Sequence, residues 1–322
     1  VRVGVIGLGF GKRHLREYLR LQSVEVTAVC DLNEDTFDDP LILRCGARTY
    51  RDAEEMLSKE ELNAVSICTP PGTHKPLTIL AAQQGIHVLC EKPMAASLED
   101  CDEMIRACER HGVKLMIGFK KRFAPAYVEL EHLIRSKLGP PFSIFYRYVC
   151  YGGVEKEWFW RDGGPIVENT AHATDILRFL AGDVRRVYAE GDNFLSHDRD
   201  EIDTAVFTLR FRNGCIGAVR AGCWARGKLK REHLIAYFSR TTVEIEGPFD
   251  SPCHLRVWRD EIGALEEFRF EDAEGISGEI EHFVECVMDD KPPRVTGEDG
   301  RAALAICLAV KESARTNRPV YF

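Results

Sequence analysis

Paired cysteines are missing from this chain. It has 12 cysteines, yet no two stand in a CxxC spacing, which argues against the commonest structural zinc knuckles. Most of them, Cys68, Cys90, Cys286 and Cys307 included, sit among apolar neighbours. Such cysteines are expected as reduced core thiols in a cytoplasmic protein. Excess positive charge is missing as well. Lys plus Arg number 43 against 51 Asp plus Glu, a formal net charge of -8, and nothing favours a nucleic acid as partner. No apolar run approaches membrane-spanning length, and no basic-then-apolar stretch precedes the strand pattern that starts at Val1. Neither a leader nor a membrane partner is expected. There is no internal repeat, no low-complexity linker, and no His, Cys and carboxylate spacing typical of a metal site, so no metal is expected.

What is present is an ordinary globular composition, 45% hydrophobic and 29% charged, over 322 residues. That length predicts two domains. Buried-strand patterns at 1–6, 24–30, 64–68, 86–90 and 113–117 alternate with helix patterns that run from after His14 through about 20, over 75–84 and over 98–111. Ser97 is placed to cap the last of these, with Glu99 and Asp100 in its first turn. The alternation predicts a parallel α/β sheet covered on both faces over residues 1–122. The period changes after about Phe123. A helix at 125–136 ends at Gly139-Pro-Pro, and strands then predominate, at 205–211, 215–223, 243–247, 253–259 and 264–270. Asn213-Gly214 marks a hairpin turn between two of them. With helices at about 169–180, 278–288 and 298–316, residues 123–322 are expected as an α+β domain with a largely antiparallel open sheet.

Gly7, Gly9 and Gly11 lie between the first strand and the first helix. Glycines there allow a tight turn and close approach of backbone N–H groups to a pyrophosphate. The usual fingerprint sets its third glycine at the position of Lys12, one residue later. Asp31 ends the second strand, where a carboxylate accepts from the adenosine ribose and repels a 2′-phosphate, so NAD is favoured over NADP. Thr69 and Pro70 open the turn after the third strand, with Thr69 a phosphate or ribose donor; His74 either contacts the cofactor or caps the next helix. The 86–90 strand runs into Glu91-Lys92-Pro93, a polar pair at a strand's carboxyl end. It either serves a site or merely stops the strand in solvent.

Five segments in this order are similar to those of the Gfo/Idh/MocA oxidoreductases: Gly7-x-Gly-x-Gly-x-x-His14, Thr69-Pro-Pro-x-x-His74, Glu91-Lys92-Pro93, Arg122-Phe123-x-Pro125 and Gly163-Gly-Pro-Ile-Val-Glu168-x-x-x-His172-x-x-Asp175. The resemblance spans nearly the whole chain. It implies an N-terminal Rossmann domain, a C-terminal α/β domain whose sheet mediates homodimers or homotetramers, and hydride transfer between NAD and a sugar, cyclitol or related polyol. It also implies that Gly7, Gly9, Phe10, Gly11, Asp31, Thr69, Pro70, His74, Glu91 and Lys92 serve the cofactor. Lys92 would touch substrate too, and the bond before Pro93 is often cis in the family.

The chemistry needs a base for the hydroxyl proton and positive charge near the developing alkoxide. His172 and Lys92 are the candidates. Glu168 and His172 are four apart and share a helix face, and Asp175, three further on, is placed to orient the imidazole. Glu168 and Thr170 stand where Asp and Gly are usual, which leaves substrate size and orientation open. Arg122, Trp158, Trp160 and Arg161 are candidates for the substrate pocket, the last three in a loop before Gly163; the tryptophans stack on a sugar or simply pack. His14 is expected to cap or pack near the first helix. A net non-redox reaction through tightly held NAD (glycoside cleavage or epimerisation) and a non-catalytic sensor are the alternatives.

Overall fold

The computed structural model describes residues 1–149, 156–195, 199–223, 231–247, 252–259 and 264–322. The chain divides into two compact units, Val1–Phe119 with Ile276–Arg301, and Lys120–Gly275 with Ala302–Phe322. The expected boundary after residue 122 took no account of the return of residues 276–301 to the first unit.

Six parallel strands form the first unit's sheet: β1 (Arg2–Ile6), β2 (Glu25–Cys30), β3 (Arg48–Tyr50), β4 (Ala64–Ile67), β5 (His87–Cys90) and β6 (Leu115–Ile117). Their order is β3-β2-β1-β4-β5-β6, the Rossmann order. The inner strands are buried on both faces, as the Val65 to Ile67 and Val88 to Cys90 runs show. Helices α1 (Leu8–Tyr18), α2 (Pro40–Cys45), α3 (Ala53–Lys59), α4 (His74–Gln83) and α5 (Leu98–His111) connect them. Ser97 caps α5, its hydroxyl accepting from Asp100 N at 3.1 Å, and Gly112 ends it in the left-handed region. Between β1 and β4 the strand order reverses, so the turns after those two strands flank the switch point where ligands bind such sheets.

The second unit carries a nine-stranded sheet. Its strands are β7 (Ser143–Val149), β8 (Val184–Asp192), β9 (Thr204–Phe211), β10 (Ile216–Gly222), β11 (Glu232–Phe238), β12 (Thr241–Glu246), β13 (Cys253–Arg259), β14 (Ala264–Phe270) and β15 (Val320–Tyr321). They run in the order β14-β13-β12-β11-β7-β10-β9-β8-β15. Only the β7–β10 pair is parallel. Asn213 and Gly214 turn the β9–β10 hairpin, with Gly214 at φ +95° and Cys215 N donating to Asn213 Oδ1 at 3.0 Å. Helix α6 (Pro125–Leu133) opens the unit, and α7 (Glu157–Arg161) leads to α8 (Gly164–Ala181). Alternation along β9 turns Phe207, Leu209 and Phe211 to the buried face, where Ile166, Ile176 and Leu177 of α8 join the same core. After β14 come α9 (Ile276–Met288), which returns to the first unit, and α10 (Gly297–Thr316).

Two local expectations change. Trp158, Trp160 and Arg161 lie in helix α7 and not in a loop. Helix α8 starts five residues before the expected 169, because Pro165 suits a first turn where no N–H is needed. Among the described residues no helix is long and apolar enough to cross a membrane.

Candidate active site

The glycine turn of the first unit assigns each glycine a separate task. Gly7 takes φ +87°, and a Cβ there would lie 2.7 Å from Cys68 O, so a side chain is excluded on two counts. Gly11 packs α1 on the sheet, since a Cβ would fall 2.8 Å from Val5 Cγ1. A Cβ on Gly9 would meet nothing within 4 Å, which leaves its backbone open to an approaching group. The start of α1 has no side-chain cap, and its N–H groups favour an anion. The third glycine thus does its packing work one residue earlier than the usual spacing, and the turn fits a dinucleotide. Asp31 braces it, with Oδ2 accepting from Leu8 N at 2.6 Å and Oδ1 from Asn33 N at 2.9 Å. Phe10 is half-buried, its ring against His14 and beneath the Arg13 guanidinium.

Two strands over from that turn, about 10 Å at ordinary strand spacing, β5 delivers Glu91, Lys92 and Pro93. The Lys92–Pro93 bond is cis, and Lys92 is half-buried. The Glu91 side chain turns inward. Its Oε1 lies 3.1 Å from His14 Nε2, and its Oε2 accepts from Lys92 N at 3.1 Å. His74 is also redirected. Its ring is fully buried, with Nε2 2.8 Å from Thr69 O and Nδ1 3.1 Å from Pro93 O. It ties the turn after β4 to the turn after β5, while burial pushes its pKa down. Thr69 and Pro70 are half-buried at that β4 turn, where Thr73 Oγ1 donates to Thr69 Oγ1 at 2.7 Å. His14, Glu91 and Glu279 present ligand-type atoms within 4.8 Å of one another, a grouping able to hold a metal that sequence spacing did not reveal.

In the second unit, α8 holds Glu168, half-buried, one turn before His172, which is 3% exposed. Asp175 does not depend on His172 for a partner, because Arg122 reaches it from the start of the unit. Arg122 Nε lies 2.9 Å from Asp175 Oδ2, and its Nη2 donates to Oδ1 of the same carboxylate. Both side chains are buried, so the guanidinium fork expected for substrate oxygens is engaged by a carboxylate. Lys121 and Lys120 behave alike, pairing with Glu232 of β11 and with Glu274. Three successive basic residues therefore pin α8, β11 and the connection between β14 and α9. Trp160 is buried against Phe159, Trp158 is half-buried, and Arg161 is exposed and paired with Asp162 at 2.7 Å. Asn169, on the His172 face of α8, was missed by sequence reasoning. Among the described residues its buried Nδ2 has no hydrogen-bond partner, and such an atom is costly unless a ligand or water meets it.

Residues 1–119 match the oxidoreductase family with an NAD-binding Rossmann fold, Gfo/Idh/MocA, and residues 127–247 match the GFO/IDH/MocA C-terminal domain. The chain is 31% identical to D-apiose dehydrogenase of Paraburkholderia graminis, over 98% of this chain and 88% of that one. The chain belongs to the Gfo/Idh/MocA family. It is also 27% identical to myo-inositol 2-dehydrogenase of Thermotoga maritima, over 99% and 98% of the two chains. A crystal structure of myo-inositol 2-dehydrogenase from Lactobacillus plantarum superposes with a TM-score of 0.86 at 26% identity, covering 100% of this chain and 99% of that one. As a Gfo/Idh/MocA protein the chain is an NAD-dependent dehydrogenase or reductase, and its first unit is the part that matches the NAD-binding Rossmann fold.

Proposed function

We propose that the protein oxidises, or in reverse forms, a secondary hydroxyl of a cyclitol or sugar. His172 carries the hydroxyl proton and Lys92 steadies the oxygen that loses it. The observation carrying this reading is Lys92, held by its backbone at the carboxyl end of β5 on the sheet that bears the glycine turn. Bound NAD supplies the hydride acceptor. Glu168, and Asn169 beside it, suit substrate hydroxyls, and Trp158 and Arg161 are kept as substrate contacts. Relatives acting on inositols and on apiose support the substrate class. The test is a panel of inositols and aldoses with NAD, followed by absorbance of the reduced cofactor and by product analysis. Turnover with a keto product is expected; an isomerised or cleaved product without net reduction would assign a closed redox cycle instead.

For the cofactor, Asp31→Ala should weaken NADH binding about 10- to 100-fold, the worth of one or two hydrogen bonds to a carboxylate, and NADPH binding much less. Calorimetric titration of both reads this directly. Equal losses would take Asp31 out of the ribose site and leave it only as the brace of the turn.

A homodimer or homotetramer is proposed through the uncovered face of the nine-stranded sheet. Phe145, Tyr188, Val206, Ile216, Tyr237 and Trp258 all point from that face and are exposed, and apolar side chains gathered on one face suit a protein interface. Light scattering should give a mass of two or four chains, and Val206→Lys with Ile216→Lys should lower it; a one-chain mass for the unaltered protein would discard the proposal. Free cysteines at all 11 described positions support a cytoplasmic location.

A further inference from the structure

We infer that His14 is a positioning residue for Lys92, acting through Glu91. The inference rests on the reading that Lys92 serves the reaction, and it concerns a buried polar chain which that reading does not use. The chain starts on α1, where Tyr18 OH lies 2.8 Å from Ser66 Oγ of β4. Ser66 Oγ lies 3.1 Å from His14 Nδ1, with Cys68 Sγ 3.5 Å from the same nitrogen. Across the ring, His14 Nε2 meets Glu91 Oε1 at 3.1 Å, and Glu91 Oε2 receives Lys92 N at 3.1 Å. Tyr18, Ser66 and His14 are 0% exposed, and Glu91 is 7% exposed.

A carboxylate this deep is costly unless donors hold it. Donors to Glu91 include His14 and the main chain of Lys92, so the carboxylate joins an imidazole to the amide from which the lysine side chain departs. Gly118 keeps the space: a Cβ there would lie 2.9 Å from Glu91 Oε1. Glu279 of α9 sets a second carboxylate beside the pair, within 4.8 Å of the His14 nitrogen and the Glu91 oxygen. Burial, and then the Glu91 charge, push the Cys68 thiol well up, so Cys68 stays a thiol beside the ring. Because His14 belongs to the helix that opens at the glycine turn, the chain fixes Lys92 to the helix that receives the dinucleotide.

The sharpest test sets His14→Leu beside His14→Gln, whose carboxamide N–H can still donate to Glu91. His14→Leu should lower kcat about tenfold with the KM for NAD nearly unchanged, and His14→Gln should restore most of the loss. In parallel, NMR of 13C-methylated lysines should show the Lys92 resonance shifted in His14→Leu and returned toward its place in His14→Gln. If His14→Leu does not fold, Glu91→Gln carries the same two readouts. Unchanged kcat per folded molecule together with an unmoved Lys92 resonance would overturn the inference, leaving the chain as packing. So would a stoichiometric metal in the purified protein whose removal by chelator abolishes activity, because His14, Glu91 and Glu279 would then be its ligands. Failure of the catalytic reading shows differently: Lys92→Ala would turn over normally while His14→Leu still moves the Lys92 resonance of the otherwise unaltered protein.

Discussion

Lys92→Ala is expected to lower kcat by roughly 10²- to 10³-fold, the range seen when one preorganised charge or donor is taken from a developing oxyanion. NAD affinity should stay within a factor of about three, because the glycine turn and Asp31 are untouched by the change. Calorimetry on the variant separates the two effects. Turnover at the unaltered rate would remove Lys92 from the reaction, and a collapse of NAD binding would make it a cofactor ligand alone. The companion variant, His172→Asn, tests the proton. In the oxidative direction the base must be unprotonated, so the rate should rise with pH until the base has lost its proton and then level off. His172→Asn should cost about 10²- to 10⁴-fold and flatten that rise, and a rise kept intact would assign the proton to another group.

The second large effect is on stability. Lys121 and Glu232 form a fully buried ion pair, and Tyr127 and Tyr146 both donate their hydroxyls to the same carboxylate. Burial, and then the Glu232 charge, hold both phenols well above their ordinary pKa, so both remain donors. Lys121→Met leaves the carboxylate without its counter-charge and should destabilise the second unit by about 3–5 kcal/mol. Adding Glu232→Gln should recover part of that loss, because the orphaned charge is then gone. All four tryptophans (Trp158, Trp160, Trp224 and Trp258) fall within the second unit's segment of the chain, so their emission during denaturation follows that unit alone. A loss below about 1 kcal/mol for Lys121→Met would place the pair with ordinary surface bridges.

Much of the first unit was legible because its signals are local. The β5 run followed at once by Glu91-Lys92-Pro93, the glycine turn with Asp31 one strand later, and Ser97 ahead of its helix each occupy a few consecutive residues. Strand β3 has no such signal, being three residues long with Arg48 and Thr49 exposed. Strand β11 begins with Glu232, a charge that reads as loop until Lys121, 111 positions away, arrives to neutralise it. The same limit explains Asp175. Helical spacing pointed to His172 three residues back, and it could not show that Arg122, 53 positions away, also reaches the carboxylate. His74 and Glu91 were correctly singled out as belonging to the switch-point edge of the sheet, but their inward orientation depends on carbonyl and imidazole partners from other elements. Pattern shows which residues reach a place; burial and long-range pairing decide which way they face there.

The return of α9 to the first unit bears on how the protein is made. A ribosome completes β1 through β6 early, yet Glu279, Ile280 and Phe283, buried residues of α9, belong to that first unit and come only after the main stretch of the second. Until then, the surface of α1 that α9 covers stays open to solvent and to other nascent chains. The dinucleotide-binding half therefore begins its folding first and finishes it late. Release from chaperones should accordingly depend on translation past Arg301, and a chain cut after Phe119 would lack a wall of its own core.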